Sequence, residues 1–160
     1  METHVLPSYS QRATMPRWLI VGFIAGALAV IVFHQSALAV LHALQLSRSA
    51  PYSFSPTAPL GIPQLWSLAF WGGVWGIVLA AALARLDGAR LVAAATLFGA
   101  IAPTLVAWFV VAPLKHQPMA AGFVLSAMAV GVIVNAAWGL GTGIGLNLFG
   151  RAHLRAVRTT

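Results

Sequence analysis

The chain has no cysteine. That absence excludes disulfides, thiol catalysis, iron–sulfur clusters, covalent c-type haem and lipid attachment through a cysteine, and leaves the redox compartment unmarked. Acids are nearly missing too: Glu2 and Asp87 stand against nine Lys and Arg. No carboxylate lies in an apolar segment to orient a catalytic histidine, to form the acid–base pair of a glycosidase, or to relay protons in coupled transport. Charge of either sign makes up only 7% of residues, where soluble domains carry about 25%. Hydrophobic residues fill 60% of the 160 positions and the mean hydropathy is +0.89, the composition of an integral membrane protein.

Four runs reach the roughly 20 apolar residues that a spanning helix needs. They cover about 18–44, 62–84, 91–112 and 120–148, and none contains Asp, Glu, Lys or Arg. The breaks are marked by Pro51, Pro56 and Pro59 in a loop at about 47–61, by an Asp87-Gly88 turn, and by the proline-bracketed connection 113–118. This pattern predicts one all-α domain, a four-helix transmembrane bundle made of two helical hairpins.

A net charge of +7 would suggest nucleic acid in a soluble chain, but here the cations flank apolar runs and no nucleic-acid partner is expected. Arg12, Arg17, Arg85, Arg90, Arg151, Arg155 and Arg158 fall on one side of the alternating topology, and Arg48 and Lys115 on the other. The positive-inside rule then places both termini in the cytoplasm. A competing reading makes the first run a secretory signal cleaved after Ala37-Leu38-Ala39. The run stays apolar beyond that site, through Val40, Leu41 and Leu44, which favours an uncleaved span.

Membrane helices pack through small residues and interhelical hydrogen bonds. Gly22 and Gly26 form a GxxxG pair in the first run, and Gly72 and Gly76 another in the second. Ala127, Gly131, Asn135, Gly139, Gly143 and Asn147 form a ridge at strict four-residue spacing in the fourth. Both patterns predict close helix contacts within the bundle or between copies. The alternating Gly139, Gly141, Gly143 and Gly145 lack the strand and lysine of a phosphate loop, so they predict a closely packed or loosened helix end. Pro103, near the middle of the third run, predicts a kink, either static or a gating hinge.

Polar side chains inside a bilayer are candidate functional groups. Asn135 is expected to hydrogen-bond across helices or to touch a substrate. Trp71 and Trp75, four apart on one face, are expected to pack between helices, the alternative being an aromatic wall. Trp18 and Trp138 are expected at one membrane interface, and Trp66 and Trp108 at the other. His34 and His42 share one side of an extended first helix with Gln45, and His116 lies at the same membrane face. Those three histidines would supply enough ligands for a metal or haem, although their spacing matches no known signature. The proline-stiffened first loop, with Tyr52 and Phe54, is either a partner-contact surface or a solvated connector.

The stretches PYSFSPTAPLGIPQLWSLAFWGGVWGIVLA (51–80) and FGAIAPTLVAWFVVAPLKHQP (98–118) resemble those of small four-span inner-membrane proteins of proteobacteria, and the layout is loosely similar to the YagU-type family. The resemblance implies a bacterial inner membrane and carries over no activity, cofactor or site residue. The reading that follows is a noncatalytic accessory or interaction subunit, with the lipid bilayer and a second copy or another membrane protein as partners, and with no cofactor. One alternative is an oligomeric transporter or binder of a small neutral or lipidic molecule, lined by Pro103, Asn135, Trp71 and Trp75. A second is metal or haem binding through His34, His42 and His116.

Overall fold

The computed structural model describes the backbone of residues 14–158 and the side chains of residues 17–150. Glu2 and Arg12, and the side chains of Arg151, Arg155 and Arg158, lie outside the described residues. Four helices are long and apolar enough to cross a membrane: Arg17–Ala43, Gln64–Ala82, Gly88–Leu114 and Leu125–Gly150. They are the first to fourth spans, and the fourth continues as helix to Arg158.

Several boundaries differ from those the hydropathy predicts, each for a local reason. Ile62 and Pro63 do not begin the second span; they pair antiparallel with Thr57 and Pro56 in a two-residue ladder. The third span begins at Gly88, directly after Asp87. It also runs through Pro113, which follows a π turn at Ala107–Val111. The fourth span starts at Leu125 instead of about 120. Ala120, Ala121, Gly122 and Phe123 all hold positive φ, between 47° and 68°, which a right-handed helix cannot incorporate. A second π turn, Val30–His34, interrupts the first span.

Small residues decide which helices are neighbours. The two GxxxG pairs interlock: a Cβ on Gly22 would lie 2.6 Å from the Gly76 carbonyl oxygen, and one on Gly26 would strike that of Gly72. The fourth-span ridge runs along the third span from Gly131 to Asn147, while Ala127 is exposed. Gly139 lies against Ala95 and Gly99, Gly143 against Val92 and Ala95, and Gly131 beneath the Trp108 indole. At its far end Asn147 accepts the backbone N–H of Gly88 at 3.1 Å, capping the third span.

The alternating glycines are explained by two neighbours. Residues two apart on a helix point about 200° apart. Gly139 and Gly143 therefore meet the third span, while Gly141 lies under the Phe33 ring and Gly145 against Ala25 of the first. The spatial order is second, first, fourth, third. The second and third spans, joined by the shortest turn, barely touch, and meet where Trp75 stands edge-on to Phe98 at 5.9 Å above a buried cluster of Leu79, Ala80, Leu91 and Ala95.

Two indoles pin the first span to its neighbours, and one of them corrects an expectation. Trp138 is not interfacial; it is 2% exposed and donates to the Gly26 carbonyl at 2.9 Å. Trp18 donates to the Ala80 carbonyl at 2.7 Å, fixing the first span against the second.

The register of the glycine contacts sets Gln64 level with His34. The second span is therefore about 28 Å long, while the first, third and fourth run to about 40 Å. Gln35–Ala43 overhangs the start of the second span, packing Leu38 and Leu41 against Val134 of the fourth.

Filling the interlock should split the first hairpin. Gly76→Val is expected to cost about 1–3 kcal/mol by overpacking, and Ala81→Val, on an exposed face, almost nothing. Equal unfolding midpoints of the two variants in mixed micelles would refute the interlock as a stabilising contact.

Candidate functional site

The step left by the short second span is filled by the first loop, and this is the most elaborated region outside the helix contacts. Gln35 is 2% exposed although it is polar, because its Oε1 accepts the Tyr52 backbone N–H at 2.7 Å. The Tyr52 hydroxyl donates to the carbonyl of Ile31, inside the π turn, at 3.1 Å. One residue thus pins the loop to the flank of the first span through its amide and its ring. Tyr52 adopts φ of 52°, an unusual conformation for a residue with a side chain.

The other end of the loop is tied to the second span. The Gln64 and Leu65 amides donate to the Ser55 and Ser53 carbonyls, both at 3.0 Å, satisfying N–H groups that a helix start leaves without partners. Between these anchors Thr57 donates to the Ile62 carbonyl at 2.7 Å and the Gly61 amide to the Thr57 carbonyl at 2.8 Å, closing a small hairpin. The segment is thus held by its own hydrogen bonds and those to the two spans. It displays large apolar side chains: Leu60 is 78% exposed and Phe54 59%. Phe54 stands edge-on to Trp66 at 6.3 Å, and Trp66 begins an exposed aromatic face that continues through Phe70 and Trp71.

Trp71 and Trp75 therefore separate. Trp75 packs against Phe98, but Trp71 is 57% exposed and its expected packing between helices is corrected. Pro103 and Thr104 are buried, and the Asn135 Nδ2 donates to Thr104 Oγ1 at 2.9 Å between the third and fourth spans. The proposed path residues sit on different surfaces: Pro103 and Asn135 in one helix interface, Trp71 on the outer face of the second span.

His34, His42 and His116 are not brought together. Among the described residues no three His, Cys, Asp or Glu side chains are grouped to hold a metal ion. His34 closes the π turn with a buried Nδ1 that has no partner. His42 Nδ1 lies 3.0 Å from the Ser47 carbonyl, which only accepts, so Nδ1 carries the proton and the ring caps the end of the first span.

His116 and Gln45 have the same role in different spans. The first span ends with Gln45 N–H donating to the His42 carbonyl and Leu46 N–H to that of Leu41; the third ends with His116 to Pro113 and Gln117 to Ala112. Each is a Schellman cap with its C′ residue left-handed, at φ of 61° for Gln45 and 54° for His116. Gln45 has thus left the helix and does not share a face with His34 and His42, as an extended first helix would require.

Two outcomes follow from these assignments. Gln45→Gly and His116→Gly should each stabilise the fold, by about 0.5–1 kcal/mol, because glycine takes the left-handed cap without strain; loss of stability in both would refute the capping role. Asn135→Leu should cost about 0.6–1.7 kcal/mol, and a double-mutant cycle with Thr104→Val should recover most of it as coupling.

No protein-family model, curated protein or solved structure significantly matches this chain.

Proposed function

We propose that the chain is a noncatalytic accessory or interaction subunit of a bacterial inner membrane, with both termini in the cytoplasm. The charge asymmetry of seven cations against two supports the orientation. The resemblance of residues 51–80 and 98–118 to small proteobacterial inner-membrane proteins supports the compartment.

One observation carries the functional reading: the first loop is held in a fixed shape while it displays apolar side chains. Ordering a residue costs about 1–2 kcal/mol of conformational entropy. Leu60 and Phe54 recover little of that within the chain, being 78% and 59% exposed. A partner that covers them recovers it, and Trp66, Phe70 and Trp71 continue the same surface along the second span, where lipid already covers apolar groups and a partner gains by close packing. Aromatic side chains dominate binding energy at such contacts. The partner that fits is another membrane protein, engaging the loop and the outer face of the second span together.

The test must spare the anchors. Removing residues 52–58 as a block would delete the Tyr52 clasp along with the display surface. The double substitution Phe54→Ser and Leu60→Ser keeps every backbone bond described above. It is expected to lower recovery of the co-purifying membrane partner about tenfold with no change in thermal midpoint. Full recovery of the partner by a folded double variant would overturn the reading.

A further inference from the structure

Opposite the Trp75–Phe98 contact, the first and fourth spans leave a groove between them. Its floor is Ala25 and Gly145, with the spans so close that a Cβ on Gly145 would lie 2.9 Å from that of Ala25. Its walls are the larger residues that flank this contact: Leu28 and Val32 on one side, Leu148 and Phe149 on the other, each between 51% and 64% exposed. Among the described residues, no charged or polar side chain lines it. The depression is therefore a consequence of the glycine contact, since small residues bring the backbones together while their large neighbours stand up at the rims.

One end of this groove leads toward a cation. Arg17 is exposed and opens the first span. It stands within about 20° of Leu28 on the helical wheel and about 16 Å from it along the axis, close to the thickness of one leaflet. The same end of the bundle carries Arg85 and Arg90, with Asp87 its one described acid. We infer that the groove holds an acyl chain of an anionic phospholipid whose phosphate lies at Arg17. An apolar trough with a guanidinium about one leaflet from it along the same helix matches the two halves of such a molecule, and arginine is suited to phosphate.

A second copy of the chain fits this surface less well. Copies in one membrane share their orientation, so a two-fold pairing through the groove would bring two Arg17 side chains to the same depth on either side of the axis. A phosphate there is attracted where a second guanidinium is repelled.

The experiment is native mass spectrometry of the full chain, titrated with phosphatidylglycerol and with phosphatidylcholine of identical chains. The wild type should retain the anionic lipid in preference, and Arg17→Gln should reduce that preference about fivefold, the worth of one cation near an anionic surface. Val32→Trp and Leu148→Trp, which fill the groove from opposite walls, should each reduce retention of both lipids. Leu97→Trp, on an exposed face of the third span, should change neither. Preference that survives in Arg17→Gln, or retention unaffected by both groove variants in folded protein, would overturn the assignment. So would a wild-type dimer that the groove variants dissociate, since that would make the occupant a second copy.

Discussion

In a membrane, apolar side chains gain little by leaving lipid for one another, so helices associate through how closely their backbones approach and through the polar groups they pair. Here that constraint is met by four short stretches of glycine and alanine. Gly22 and Gly26 interlock with Gly72 and Gly76, Ala95 and Gly99 with Gly139 and Gly143, and Gly141 and Gly145 receive the first span. Everything else in the arrangement depends on these contacts. They set the order second, first, fourth, third, bring the Trp138 indole onto the Gly26 carbonyl, and fix the register that leaves a step beside Gln35.

The fourth helix shows how one element serves two interfaces. Glycines at odd positions from 139 to 145 give it small residues on opposite faces, so it packs tightly on both the third and the first span. A helix with a single small-residue face would permit one close neighbour and leave the two hairpins to meet across bulky side chains. The two polar groups on the same ridge are paired: Asn135 with Thr104, and Asn147 with the Gly88 amide. The ridge thus combines approach and hydrogen bonding along a single line.

Much of this was legible in the sequence, and the exceptions share a cause. Four charge-free runs, their breaks, the GxxxG pairs and the four-residue ridge are periodic features, and period is what a sequence displays directly. Ala95 and Gly99, the counterpart of Gly139 and Gly143, were hidden because one of the pair is an alanine in an alanine-rich helix. The π turns have no composition of their own. The Schellman caps carry no sequence mark, because Gln45 and His116 occupy a position where glycine is the usual marker. Nothing near Trp138 in the sequence marks it as buried, since the Gly26 carbonyl that accepts its N–H is 112 residues away in the chain. The candidate site was legible only as a proline-rich loop; its clasp depends on Gln35 and Tyr52, a pairing with no local signal.

The unequal spans have a consequence for the surrounding lipid. The second span lies at one edge of the bundle and the third at the other, with apolar helix lengths of about 28 Å and, from Leu91 to Leu114, about 36 Å. The hydrocarbon core of a bilayer is about 30 Å thick, and mismatch costs a fraction of a kcal/mol per ångström, relieved by tilt, thickening or thinning. A bilayer around this protein is therefore well matched along one flank and under-filled along the other. The chain acts as a wedge in thickness, and its free energy depends on which membrane holds it and on which neighbour stands against the longer side.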